Sequence, residues 1–167
     1  MQDGSETTAA RALRELHSPI EEAKADIVGE HGLYYLIDEG FFDRGLEPEA
    51  AVTFLAGFFR SVRFGAESAH GRANMVIFNY MKERGVYAKD AATQRWSVDK
   101  AKMRGAVRDL AAKILMLQAR GDYEGAKALL DTYGTMGDDV RASLALLGDV
   151  PIDITPVFEI QERFGAD

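Results

Sequence analysis

The chain contains no cysteine, which removes a disulfide framework, a thiolate zinc site and a cysteine nucleophile together. It also lacks a long apolar run. The most hydrophobic stretch, Ala50 to Phe59, falls well short of the roughly 20 residues that a helix needs to cross a bilayer. No basic segment followed by an apolar one opens the chain, so an export signal is not expected and the protein is read as cytoplasmic, with no membrane partner. Internal repeats, low-complexity tracts and Pro/Gly/Ser-rich linkers are missing too, which leaves one domain over residues 1–167 as the expected organisation. The phosphate-cradling patterns GxGxxG and GxxxxGK[ST], the nucleophile elbow GxSxG and the zinc motif HExxH are all absent. His17, His31 and His70 stand alone, without metal-ligand spacing to another histidine.

What is present suits an ordinary globular chain. At 167 residues and 18.4 kDa, folding would leave about 8,200 Å² exposed and bury roughly 69% of the unfolded surface, enough for one core. The net charge of −7 is local: residues 1–50 hold 12 acidic and 4 basic residues, so the remainder is nearly neutral. A general nucleic-acid binder needs cationic surface to replace counterions around phosphates, and this distribution argues against one.

The pattern predicts a mainly α, bundle-like domain with at most a small β-hairpin near residues 86–98. Residues 5–17 form a short candidate helix. Ser18-Pro19-Ile20-Glu21 combines a capping serine, a proline at the first helical position and a glutamate three residues after the cap, so a long helix is expected from Pro19 to Glu39. Pro48 opens another, carrying Val52, Leu55, Phe58 and Phe59, and Ser68 caps a third that ends near Gly85. Met103, Val107, Leu110, Ile114 and Leu117 recur at spacings of three and four, on one helix face. In Arg120-Gly121-Asp122, the glycine stops that helix and the aspartate caps the next, on which Tyr123, Ala126, Leu130 and Tyr133 repeat the pattern. A last short helix covers Asp139 to Leu147, and the prolines at 151 and 156 predict an extended Val150–Pro156 tail. The basic stretch from Gln94 to Lys113 reads as a solvated helix face.

Chemistry gathers at Glu21-Glu22-Ala23-Lys24-Ala25-Asp26. At about 100° per residue, Glu22 and Asp26 share a stripe with Gly29, Leu33 and Ile37, so these acids are expected to point where apolar residues point. Like charges four apart repel, and a buried carboxylate needs a compensating cation or proton, which a metal ion would supply. The same acids also suit the first turn of a helix on a solvated face beside Lys24, and His70 suits a hydrogen-bonded position in the first turn of its own helix.

The six-residue block resembles the second zinc motif of the dipeptidyl peptidase III family of metallopeptidases. Ala69-His70-Gly71-Arg72-Ala73-Asn74-Met75-Val76-Ile77 is similar to that family's later helix, and Gly121 to Leu130 and the Val150–Pro156 tail are similar to its C-terminal helical region. The resemblance implies zinc as cofactor in the intact enzyme and a peptide substrate cut near its free N-terminus. It implies Glu22 as the glutamate ligand of the metal, Glu21 and Asp26 as acids orienting the zinc-bound imidazoles, and His70 as a catalytic residue that contacts substrate or stabilises the tetrahedral intermediate. The family's upstream histidine-glutamate motif, with the other ligands and the general base, is not in this sequence. The expectation is therefore a C-terminal fragment, inactive alone and able to self-associate through exposed core surface. A complete, non-enzymatic helical interaction module, whose acidic first half docks a basic partner, is the alternative.

Overall fold

The computed structural model describes residues 4, 6–153, 156 and 158–165. Eight α-helices and one hairpin are present among them: α1 Ala9–Leu13, α2 His17–Asp38, α3 Leu46–Ser61, α4 Ala69–Glu83, β1 Tyr87–Lys89, β2 Trp96–Val98, α5 Lys100–Arg120, α6 Tyr123–Tyr133, α7 Asp138–Ala145 and α8 Glu159–Phe164. The architecture is mainly α, as the periodicity implies. None of the helices among the described residues is long and apolar enough to cross a membrane.

The central element is α2, which packs on α4 along one side and on α5 along another. Its core stripe is Ile20, Ala23, Ile27, Tyr34 and Ile37, all buried. This differs from the expected stripe. Gly29 is exposed, and Glu22 and Asp26 are only half-buried, because they flank the seam instead of forming its centre. The helix also starts earlier than expected. Leu16 caps it without a side-chain bond, so Ser18 and Pro19 lie inside the first turn. Proline is harmless there, since the first N–H groups of a helix have no acceptor within it. The candidate helix over 5–17 is broken at Arg14, whose φ of 52° interrupts the right-handed backbone between α1 and a 3₁₀ turn.

On α3, Leu55 and Phe58 are buried as expected, whereas Val52 faces solvent. The rings of Phe58, Phe59, Phe78, Tyr87 and Trp96 pack edge-on or tilted at centroid separations of 5.0 to 6.3 Å, which joins α3, α4 and the hairpin. The hairpin is antiparallel, with Tyr87 opposite Val98 and Lys89 opposite Trp96. All five predicted residues of the α5 face are buried. Gly121 ends α5 in the left-handed conformation at φ 65°, and the Asp122 carboxylate accepts from the Gly125 N–H at 2.9 Å to start α6.

The basic stretch is solvated as expected at Arg95, Lys100, Lys102, Arg108 and Lys113, and only half-buried at Arg104. Its guanidinium grips Glu47 at 2.6 and 2.8 Å and Asp38 at 2.7 and 3.2 Å, and lies 4.9 Å above the Tyr34 ring. One cation thus ties the end of α2 and the start of α3 to α5. Residues 150–153 form no helix or strand and are strapped to Arg63, which donates to the carbonyls of Leu147, Val150 and Pro151. Positions 154 and 155 of the expected extended tail lie outside the described residues.

Candidate functional site

The site begins at the first turn of α4. Ser68 has extended backbone and its hydroxyl accepts from the Gly71 N–H at 3.0 Å, which fixes the helix start. Gly71 then allows that turn to rest directly on the preceding loop: a Cβ there would overlap the Gly65 carbonyl oxygen and stand 2.8 Å from Ala66 Cα. His70, held between the cap and this close approach, is carried onto α2.

Its Nδ1 lies 2.9 Å from Oε2 of Glu22, 48 residues earlier in the chain. Asp26 sits one turn beyond Glu22 on the same helix. Burial raises the Asp26 carboxyl above its ordinary value, the His70 imidazole opposes that rise, and the Glu22 charge adds to it. The repulsion expected between acids four apart is therefore offset here by a neighbouring imidazole. The structure brings Glu22, Asp26 and His70 together.

It does not bring Glu21 with them. Glu21 faces α5, where its carboxylate accepts from Gln118 Nε2 at 2.6 Å and from Lys24 Nζ, with His17 Nε2 3.6 Å away. The Lys24 and Gln118 contacts hold its carboxyl below the ordinary value. Adjacent residues on a helix diverge by about 100°, which is enough to send the two glutamates to different neighbours.

Beside the trio opens a cavity of about 380 Å³ between α2, α3 and α4. Leu33, Phe54 and Phe58 form apolar walls, and Asp26, His70 and Asn74 reach it from the rim. Glu30 also lines it, although it occupies a core-stripe position and is only 8% exposed. Burial pushes the Glu30 carboxyl up, partly countered by the Tyr34 hydroxyl, which donates to Oε1 at 2.6 Å. The Tyr87 hydroxyl is buried without a hydrogen-bond partner and is pushed up by burial and then by the Glu30 charge. Sequence reading missed this group. The available signal was a glutamate three residues after Ile27 and four before Tyr34, where the core spacing calls for an apolar side chain.

A zinc ion is not accommodated by these residues alone. Zinc needs three protein ligands in a catalytic site, and no group of three or more His, Cys, Asp or Glu able to hold a metal occurs among the described residues.

No protein-family profile matches the chain. Among solved structures, dipeptidyl peptidase III from Caldithrix abyssi superposes with a TM-score of 0.93 at 43% identity, covering 96% of this chain and 31% of that one. The dipeptidyl-peptidase III of Corallococcus sp. strain EGB gives a TM-score of 0.86 at 38% identity, covering 96% and 30%. Among curated proteins, Nudix hydrolase 3 of Arabidopsis thaliana is 42% identical over 163 residues, covering 95% of this chain and 21% of that protein. The chain thus spans about a fifth of the curated relative and under a third of each solved relative. The names differ in the chemistry they describe, and each attaches to a protein far longer than the matched stretch. In both fold and sequence the chain is dipeptidyl peptidase III-like over nearly its whole length.

Proposed function

We propose that this chain, with its kinship to dipeptidyl peptidase III, is the helical part of a zinc-dependent peptidase that removes short peptides from peptide N-termini. The observation that carries the reading is the meeting of Glu22 and His70 across α2 and α4, with Asp26 beside them. Zinc bound in the intact enzyme would polarise the peptide carbonyl and activate water. Glu22 would be the one ligand that this chain supplies: Oε2 is engaged by His70, and Oε1 has no hydrogen bond among the described residues. The remaining ligands and the general base would come from outside this sequence, so the chain alone would be inactive.

His70 holds Glu22 through Nδ1, which leaves Nε2 as the ring atom free to meet a substrate oxygen. Asp26 suits the orientation of an incoming imidazole, being close to Glu22 and partly desolvated. Glu21 is already engaged by Gln118 and Lys24, and would serve that role only by exchanging a partner.

The test is peptide hydrolysis by the intact parent protein carrying Glu22→Gln or His70→Ala. Loss of at least a hundredfold in kcat/KM in each, with the fold retained by circular dichroism, supports the reading; wild-type rates in both contradict it. Activity also separates this reading from a non-enzymatic interaction module, since apolar surface left uncovered fits both.

A further inference from the structure

Two cations on α5 lack a partner. The side chains of Lys113 and Arg120 make no hydrogen bond, ion pair or ring contact among the described residues, whereas Lys102, Arg104 and Arg108, earlier on the helix, each reach a carboxylate. Both line a groove of about 390 Å³ between α5 and α6. No residue of α2, α3 or α4 lines it, so it is separate from the cavity beside the trio. Its floor is Leu117 and Leu129, both buried, and Met116, 45% exposed, stands at its edge. Asp122 is the one acid among the described lining residues, and its carboxylate is already engaged by the Gly125 N–H as the cap of α6. The α5 wall, Lys113, Met116, Leu117 and Arg120, follows the spacing i, i+3, i+4, i+7, and the α6 wall repeats it from Gly125 to Thr132. Two such parallel stripes form the kind of trough into which a third helix packs. At a rise of about 1.5 Å per residue, the two cations stand about 10 Å apart along α5. A helix laid along the groove repeats at the same two-turn interval, so carboxylates seven residues apart on it would meet both cations while apolar residues between them cover the floor. A phosphate backbone would leave that floor uncovered, and a wholly apolar helix would desolvate two cations without pairing them.

We propose that this groove docks an amphipathic helix of a partner protein, with acidic residues seven apart flanking an apolar stripe. The Arg120 guanidinium takes one carboxylate in a bidentate grip, and the Lys113 ammonium takes the other as a point charge. A single groove of this size suits a micromolar, exchanging partner and not a permanent subunit. Such docking is independent of the peptidase chemistry.

The test is fluorescence anisotropy of a labelled, end-capped peptide of about 18 residues, long enough to hold a helix, titrated with the full 167-residue chain. The peptide carries leucines on one face with two glutamates seven apart beside them; its controls carry glutamine or lysine in place of both glutamates. Saturable binding of the glutamate peptide is expected, at least tenfold tighter than that of the glutamine peptide. Lys113→Glu combined with Arg120→Glu changes two exposed, unpaired side chains, and should cost the glutamate peptide at least tenfold while the lysine peptide binds instead. Ala128→Phe, at an exposed position in the lining, should fill the groove with both cations still in place, and also cost at least tenfold. Equal binding of the glutamate and glutamine peptides, or wild-type affinity in either folded variant, overturns the proposal. The glutamate peptide should also bind the intact parent protein; binding confined to the 167-residue chain would assign the groove to a segment of the parent and overturn docking by a separate partner. If charge reversal abolishes self-association of the chain while no peptide binds, the occupant is a second copy and the proposal falls.

Discussion

His70 Nδ1 on α4 and Glu22 Oε2 on α2 lie 2.9 Å apart, and this contact joins two sequence blocks separated by most of α2 and the whole of α3. The contact depends on an absent side chain. Gly71 lets the α4 start settle onto Gly65 and Ala66, and the neighbouring His70 is positioned as a result. Gly71→Ala forces backbone apart in a buried turn and should cost about 2 kcal/mol, as overpacking does. Chemical denaturation measures that loss. The His70 ring signals should also move, whereas Gly29→Ala, at an open and exposed helical position, should stabilise slightly.

Glu30 imposes a pH dependence of definite sign. Burial raises its carboxyl in the folded state. At pH values below the ordinary carboxylate range, the group is neutral in both folded and unfolded chains and burial has little electrostatic cost. As pH rises through the folded value, the unfolded chain binds fewer protons than the folded one, and stability falls. Glu30→Gln removes that penalty. Thermal melts should therefore show little difference between variant and wild type near pH 4, and a higher Tm for the variant by about pH 8. A constant offset across this range would mean that Glu30 does not titrate differently on folding.

Arg104 is the clamp at the far end of α2. Arg104→Ala leaves Asp38 and Glu47 without their bidentate partner and strips the Tyr34 ring of its cation, at a cost of about 2 kcal/mol for charge-assisted bonds of this kind. Arg104→Lys should recover less than half of it, because an ammonium cannot fork onto two carboxylates at once. Urea denaturation of both variants checks the ordering.

Apolar surface remains uncovered. Phe41 is 74% exposed, and Tyr35 and Phe42 stand near it in sequence, also exposed. We expect the isolated chain to self-associate, and sedimentation velocity should show a concentration-dependent shift that Phe41→Ser with Phe42→Ser weakens at least tenfold. A monomer at every concentration would contradict this.

The sequence was most legible where one residue type answers to one physical demand. Ser68, Gly121 and Asp122 act as the caps and stop that their chemistry suggests, and the three-four spacing from Met103 to Leu117 marks a buried face. It was less legible where tertiary contacts override local pattern. Ser18 resembles a cap, yet α2 continues through it from Leu16. Val52 belongs by composition to an apolar run but points to solvent. The spacing of Glu22 and Asp26 marks them as a pair but predicts them one stripe too far inward, whereas Glu30 sits on the true core stripe. His70 could be joined to Glu22 only through resemblance, since no local pattern links residues 48 positions apart. Helix α8 carries no signal that the spacing of apolar residues picked out.

We propose that Glu22 is one ligand of a zinc site completed outside this sequence. Its most direct measurement is zinc stoichiometry and affinity, by native mass spectrometry and chelator competition, for the 167-residue chain, the intact parent protein and its Glu22→Ala variant. We expect one tightly held zinc in the intact protein, at least a hundredfold weaker binding in the variant, and no stoichiometric zinc on the chain alone. Tight one-to-one zinc on the isolated chain, or undiminished zinc in Glu22→Ala, would contradict it.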